Sequence, residues 1–172
     1  MSISVEEFDT MSFEEAFETM RDCCGSTTWV NDMVSRRPFG EFDVLIAAAD
    51  DAWAKTTEKD WLEAFEHHPR IGDTGTTATQ SAAAKSWSSH EQAGVKSASS
   101  ALQEELAAVN AAYERKFGHI YVVCAAGKDV TEMLDMAKAR MTNDHSTELR
   151  VSAEEQRKIM QLRLRKLFGI VA

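Results

Sequence analysis

Helical spacing of apolar residues runs through almost the whole sequence, and this pattern most constrains the fold. One stretch before Gly118 shows it well: Leu102, Leu106, Val109, Tyr113 and Phe117. Intervals of three and four residues place side chains on one face of an α-helix. The chain has only two prolines, so few positions oppose a continuing helix. We therefore expect an all-α protein, a single helical-bundle domain over residues 1–172 with about eight helices.

One short segment departs from the helical pattern. Residues 119–127 read HIYVVCAAG, an apolar run with β-branched and aromatic residues. Such a run is too brief to make a stable helix and is typical of a buried extended segment. We expect this single extended apolar segment to lie in the core, with Cys124 as a packed core residue.

Three further boundaries follow from local signals. Ser12 and Glu15 have the spacing of a helix-starting capping box, as do Ser152 and Glu155 before a final helix that runs to about Phe168. Residues 70–86 are rich in Gly, Thr, Ser and Ala, which predicts a long loop of the kind that either lines a site or is mobile. A short helix is then expected from about Ser88.

Charge and cysteine content narrow the class of protein. The net charge is −9, which argues against a general nucleic-acid binder with a basic face. No apolar run approaches the roughly 20 residues that cross a bilayer, and the acidic first residues lack a signal peptide's pattern. The three cysteines, an odd number with one adjacent pair, suit a reducing compartment, so we expect a cytoplasmic protein.

The segment FEHHPRIGD, residues 65–73, carries the first candidate for acid–base chemistry. His68 lies three residues after Phe65 and seven after Trp61, which places it on the inward stripe, whereas His67 is rotated away. The following Pro69 restricts its backbone. His68 is therefore either a polar residue at a helix end or an acid–base group fixed in a pocket, and it is the better choice of the two histidines.

Two more polar groups stand out. Ser88 and Glu91 form either a capping box or a polar cluster that holds a ligand's polar edge. Arg163 lies within the apolar arc of the last helix, between Ile159 and Leu167. A buried guanidinium needs an anionic partner, which is either an internal carboxylate or a carboxylate of the substrate. Arg140 flanks the apolar face of its own helix and is a weaker candidate for binding a substrate carboxylate.

Five pieces of sequence, in order along the chain, resemble the OHCU decarboxylase family: HHPRIGD, SxxEQAG, NAAYERKFGHIYVVCAAGK, RMTNDHSTEL and AEEQRKIMQLRLRKL. The resemblance extends from about Phe13 to Phe168. It implies an all-helical homodimer without metal or organic cofactor. It also implies decarboxylation of 2-oxo-4-hydroxy-4-carboxy-5-ureidoimidazoline to (S)-allantoin in urate breakdown, in functional connection with urate oxidase and 5-hydroxyisourate hydrolase.

The resemblance also assigns residues. It implies that His68 and Glu91 are catalytic, and that substrate is bound by Pro69, Ser88, Gln92, the backbone of Ile120, Tyr121, Val122, Val123, Cys124 and Ala125, and Arg163. Two readings of another class stay open. One is a helical ligand-binding module without catalysis, and the other is a metal-dependent hydrolase that uses His67, His68 and His90. The sequence has no phosphate-binding loop or nucleophile elbow.

Overall fold

The computed structural model describes residues 2–72 and 80–170, and within these ranges its regular structure is helical, without strands. The helices are α1 (Val5–Thr10), α2 (Phe13–Cys23), α3 (Thr27–Ser35), α4 (Phe42–Ala54), α5 (Glu58–Glu66), α6 (Ala82–Glu91), α7 (Ala93–Lys96), α8 (Ser100–Phe117), α9 (Val130–Arg140) and α10 (His145–Leu167). The predicted all-α class is confirmed. The expected number of about eight helices is wrong, because the described residues form ten.

The two additional helices are short. The α1 helix has six residues, and its capping box joins Ser4 to Glu7. The α7 helix has four residues and follows α6 directly, so one predicted helix is two. Elements of this length carry less than one heptad of periodicity, which explains why the apolar pattern does not reveal them. No helix among the described residues combines the length and apolarity needed to traverse a bilayer.

The chain divides into two compact units, one comprising residues 1–64 and 157–172 and the other residues 65–156. In the first unit Trp29 is fully buried, and its indole Nε1 donates to the carbonyl of Ala49 at 3.0 Å. Phe8 packs edge-on against Phe168, with ring centroids 5.8 Å apart. A buried indole with a hydrogen-bond partner is a stable anchor, and it ties α3 to α4.

The second unit has its own core around α8, α9 and the non-helical segment between them. Its buried residues come from several elements: Ile71, Val95, Leu106, Tyr113, Phe117, Tyr121, Val123, Ala125, Val130, Met133, Leu134 and Ala137. The predicted inward stripe of α8 is confirmed at Leu106, Tyr113 and Phe117, and Gly118 ends the helix with a φ of 77°. A left-handed backbone conformation at the end of a helix is most easily adopted by glycine.

Two predicted helix starts differ from the structure. The capping box at Ser12 and Glu15 is confirmed. The one at Ser152 and Glu155 is wrong, because α10 already begins at His145, where the Asp144 carboxylate accepts from Thr147 N at 2.7 Å. An aspartate in that position stabilises the first turn of a helix.

The predicted loop over residues 70–86 is also partly wrong. Residues 73–79 lie outside the described residues, but α6 begins at Ala82 rather than near Ser88. The Ser81 hydroxyl accepts from Ala84 N at 3.1 Å and caps the helix. Alanine has the highest helix propensity, so the run of three alanines after Ser81 favours a helix over a loop.

Candidate active site

His68 follows the C-terminal end of α5, and its imidazole faces the interior of its unit. The helix ends at Glu66, and the backbone N–H of His68 donates to the carbonyl of Phe65 at 3.1 Å. The half-buried imidazole places Nε2 2.5 Å from Oε1 of Gln156, a residue without exposed surface. The predicted inward orientation of His68 is therefore confirmed. Gln156 was not among the predicted site residues.

A second glutamine connects the histidine segment to α6. Nε2 of Gln80 donates to the carbonyl of His67 at 2.7 Å and lies 3.4 Å from Oγ of Ser88. Gln80 is buried, so these contacts fix the backbone beside His68 relative to α6. The sequence alone does not identify Gln80, because a residue in a loop has no periodicity that would indicate its burial.

The SxxEQ motif occupies the end of α6 and not its beginning. Ser88 is a buried residue of the helix interior, so the capping-box interpretation of Ser88 and Glu91 is wrong. Glu91 is the last residue of α6 and is partly exposed. Gln92 caps this end, and its Oε1 accepts from Gly72 N at 3.0 Å. The motif thus lies where α6 meets the segment that follows His68.

Gly94 brings the same motif close to the segment around Cys124. A Cβ atom at Gly94 would lie 2.9 Å from the carbonyl oxygen of Lys128, so only glycine permits this approach. Burial raises the pKa of the Cys124 thiol, and the negative charges of Glu155 and Glu91 raise it further.

The segment 120–125 has the predicted buried, non-helical character, and side chains take the place of a partner strand. Tyr121, Val122, Val123, Cys124 and Ala125 are all buried, and none is in a helix or strand. The carbonyl of Val122 accepts from Arg140 Nη1 at 2.8 Å. The Cys124 N–H donates to Glu155 at 2.7 Å, and its carbonyl accepts from Lys128 Nζ at 2.8 Å. These bonds satisfy buried backbone groups that would otherwise be costly.

Arg140 belongs to a buried ion-pair network. Its Nη2 lies 2.6 Å from Oε1 of Glu148, which has no exposed surface, and it donates to Ser152 Oγ at 3.0 Å. The hydroxyl of Tyr113 also donates to Glu148. The guanidinium stacks over the ring of Tyr121 at 4.8 Å, and burial raises the pKa of that phenol to about 12. Arg140 thus has its anionic partner within the protein and positions the 120–125 segment.

Arg163 belongs to the other unit and is buried, as its place on the inner face of α10 predicts. Its Nη1 donates to the carbonyl of Asp22 at 3.3 Å. Burial raises the pKa of the Cys24 thiol to about 12, and the positive charge of Arg163 opposes this shift. That His68 and Arg163 serve one substrate remains a prediction.

A pocket of about 340 Å³ also opens in the second unit, beside the ion pair of Arg70 and Glu114. Ile71, Gly72 and Asn110 line it together with neighbours on α8, and none of the predicted site residues does. Within residues 2–72 and 80–170, no three His, Cys, Asp or Glu side chains group as metal ligands. Of the predicted site residues, the second unit contains His68, Ser88, Glu91, Gln92 and the 120–125 segment, whereas Arg163 belongs to the first unit.

Comparison with known sequences decides the family. The sequence model of the family described as OHCU decarboxylase matches residues 9–165. The chain belongs to the OHCU decarboxylase family. This confirms the resemblance seen in the five ordered pieces of sequence, which no single motif would establish.

Three relatives define the extent of the similarity. The chain is 35% identical over 159 residues to the uric acid degradation bifunctional protein TTL of Arabidopsis thaliana, and 26% identical over 167 residues to the uric acid degradation bifunctional protein of a Bacillus species. The chain covers 49% of the first protein and 32% of the second, so it spans about half the length of one relative and about a third of the other. It is also similar to an OHCU decarboxylase crystallised in the presence of (S)-allantoin, with 35% identity, a TM-score of 0.75, and coverage of 88% of this chain and 98% of that one.

Proposed function

We propose that this protein decarboxylates 2-oxo-4-hydroxy-4-carboxy-5-ureidoimidazoline to (S)-allantoin and CO₂ in urate catabolism. One observation carries the proposal: the chain matches 98% of an OHCU decarboxylase crystallised in the presence of (S)-allantoin, at 35% identity. Similarity at this level over the full length of a relative supports the same reaction class, and the argument for the residues rests on their geometry.

The reaction needs little more than orientation and a proton. The bond between the ring carbon and its carboxylate breaks, and its electron pair moves into the adjacent carbon–nitrogen double bond of the substrate. The substrate thus supplies the electron sink that many decarboxylases obtain from a cofactor. Loss of CO₂ leaves an enol, and the former imine nitrogen takes up a proton. The enol hydroxyl then releases its proton to become the ring carbonyl as one proton is added on one face of the carbon that bears the ureido group, which gives the S product. The protein must hold the anion, exclude water and direct that proton.

The second unit supplies the groups for proton delivery and ring binding. In this proposal the His68 imidazole transfers the proton, because histidine titrates near neutral pH and His68 is fixed between Pro69 and Gln156. Glu91, the second catalytic candidate, binds the ureido and ring nitrogens together with Ser88. Gln92 also binds these nitrogens, and the backbone from Ile120 to Ala125 lines the ring. Burial of that backbone supports a site from which water is excluded.

Arg163 is proposed to hold the anionic carboxylate of the substrate. A buried guanidinium offers a planar pair of donors that matches a carboxylate, and Arg163 is only 3% exposed.

We also propose a cytoplasmic homodimer, as the family resemblance implies. Light scattering after size-exclusion chromatography tests the oligomeric state. The bifunctional relatives in uric acid degradation support a functional connection to urate oxidase and 5-hydroxyisourate hydrolase.

The decisive assay generates the substrate in place. Fresh urate is converted by urate oxidase and 5-hydroxyisourate hydrolase, this protein is added, and circular dichroism follows the appearance of (S)-allantoin. We expect an initial rate proportional to the protein concentration and above the spontaneous decay of the substrate. A time course that matches the reaction without this protein would overturn the proposal.

Adjacent histidines provide a matched pair of variants. His68→Asn should lower the rate by about 100-fold or more, the range that a positioned acid–base group contributes. His67→Asn replaces the neighbouring imidazole, which its position along the chain rotates away from the inward stripe, so we expect a change of less than about threefold. Equal losses in both variants would contradict the assignment to His68.

The role of Arg163 has a similar control on the same helix. Arg163→Lys keeps the charge but removes the paired donors, so KM for the substrate should rise by about tenfold or more. Arg165→Lys, two residues along α10, should leave KM unchanged. A normal KM for Arg163→Lys would refute carboxylate binding by Arg163.

A further inference from the structure

Gln156 carries a fully buried amide that forms a hydrogen bond with His68. It lies on α10 without exposed surface, and its Oε1 is 2.5 Å from His68 Nε2. Its own Nε2 has no hydrogen-bond partner among the described residues. Burying a side-chain amide with half of its hydrogen-bonding capacity unused is costly, so its presence requires an explanation. The contact with the imidazole provides one.

The contact determines where the imidazole carries its proton. An amide oxygen has no hydrogen, so a bond between Oε1 and Nε2 requires the hydrogen to be on the imidazole. A neutral imidazole has one N–H, and with the proton on Nε2 the lone pair is on Nδ1. Nδ1 is then the nitrogen that accepts a proton and returns it.

We propose that Gln156 is a positioning residue that holds His68 in the Nε2–H tautomer and leaves Nδ1 to handle the proton. The catalytic meaning of this inference rests on the proposed function, whereas the tautomer itself does not. A neutral amide suits the task, because a carboxylate at this distance would favour the charged imidazolium over the neutral base. Gln156 therefore orients the imidazole without placing a negative charge beside it.

The tautomer is measured directly on the whole protein. Two-bond ¹H–¹⁵N correlation spectra of protein labelled with ¹⁵N-histidine distinguish Nε2–H from Nδ1–H, and His68→Asn assigns the His68 signals by their loss. We expect the Nε2–H pattern for the wild-type protein. An Nδ1–H pattern would mean that the amide lies the other way round and donates to the ring, and it would overturn the proposal.

Two substitutions of similar size test whether Gln156 is the cause. Gln156→Glu keeps an oxygen acceptor and should keep the Nε2–H tautomer whenever the ring is neutral. Gln156→Met removes the acceptor, so both tautomers should appear, and kcat should fall by about tenfold or more with a change in KM of less than about threefold. An unchanged tautomer in Gln156→Met would refute the role of Gln156.

The two proposals fail in distinguishable ways. If the protein does not form allantoin but the spectra show Nε2–H, the proposed function is wrong and the positioning role stands. If allantoin forms and the spectra show Nδ1–H, the reverse holds. Should Gln156→Met not fold, the wild-type and Gln156→Glu spectra decide the question, since an Nδ1–H pattern in either one overturns it.

Discussion

The buried pair of Arg140 and Glu148 offers a sharp test of what holds the 120–125 segment. Arg140 bonds to Glu148, to the Val122 carbonyl and to Ser152 Oγ at 2.7, 2.8 and 3.0 Å. Arg140→Met keeps most of the volume but leaves Glu148 charged and buried. Breaking a buried ion pair by removing one partner costs about 3–5 kcal/mol. We expect a loss of this size in the free energy of unfolding.

The matched control lies two residues earlier on the same helix. Lys138 pairs with Glu105 at 2.5 Å, but the two side chains are 52% and 46% exposed. Exposed pairs contribute about 0–1 kcal/mol because water screens them. Lys138→Met should therefore change the free energy of unfolding by less than about 1 kcal/mol.

A double-mutant cycle measured by urea denaturation separates the pair from its surroundings. Arg140→Met combined with Glu148→Met removes both charges, so the double variant should be less destabilised than the sum of the single variants by about 0.5–3 kcal/mol. The carbonyl of Val122 still loses its donor, so the double variant should not recover wild-type stability. Additive effects, or an Arg140→Met cost as small as that of Lys138→Met, would refute this reasoning.

Three further predictions concern single sites. Gly94→Ala forces a Cβ atom against the Lys128 carbonyl at 2.9 Å, so it should cost about 1–3 kcal/mol in urea denaturation; an unchanged midpoint would exclude the close approach. Ser81→Ala removes the cap of α6 and should cost about 1 kcal/mol, with a loss of helical circular dichroism that Ser81→Asp does not show. Burial lowers the pKa of the His119 imidazole below its ordinary 6.5, so the stability provided by its neutral form is present above pH 6.5 and is lost as pH falls through the lowered pKa. His119→Phe should remove that part of the acid sensitivity, at most about 1.4 kcal/mol for each pH unit, and an unchanged slope of stability against pH would contradict it.

The sequence predicts the helices well where periodicity is long and fails where one motif has two physical meanings. Ser88 and Glu91, like Ser152 and Glu155, have the spacing of a capping box. The same spacing puts two side chains on one face of a helix interior. In the structure both residues accept hydrogen bonds from buried groups: Ser152 from the Arg140 guanidinium, and Glu155 from the Cys124 N–H. The local pattern cannot distinguish these cases, because the difference lies in contacts with distant residues.

The contact between His68 and Gln156 shows the same limit at the site. The two residues are 88 positions apart, so spacing along the chain does not connect them. The sequence does contain a signal, because Gln156 precedes Met160 by four residues and lies on the inner stripe of α10. A polar residue on such a stripe needs a partner, as the argument for Arg163 states. Applied to Gln156, that argument predicts a polar partner without identifying it.

The 120–125 segment extends this reasoning from residues to function. Its apolar composition predicts burial, which the structure confirms, and a buried segment outside helices and strands must find hydrogen bonds elsewhere. Arg140, Glu155 and Lys128 supply them through side chains. A backbone held in this way keeps its position without a partner strand. The geometry of the proposed ring-binding backbone therefore depends on Lys128 and on charged residues of α9 and α10. Substitutions of these residues should impair substrate binding even though their side chains contact the backbone of the segment.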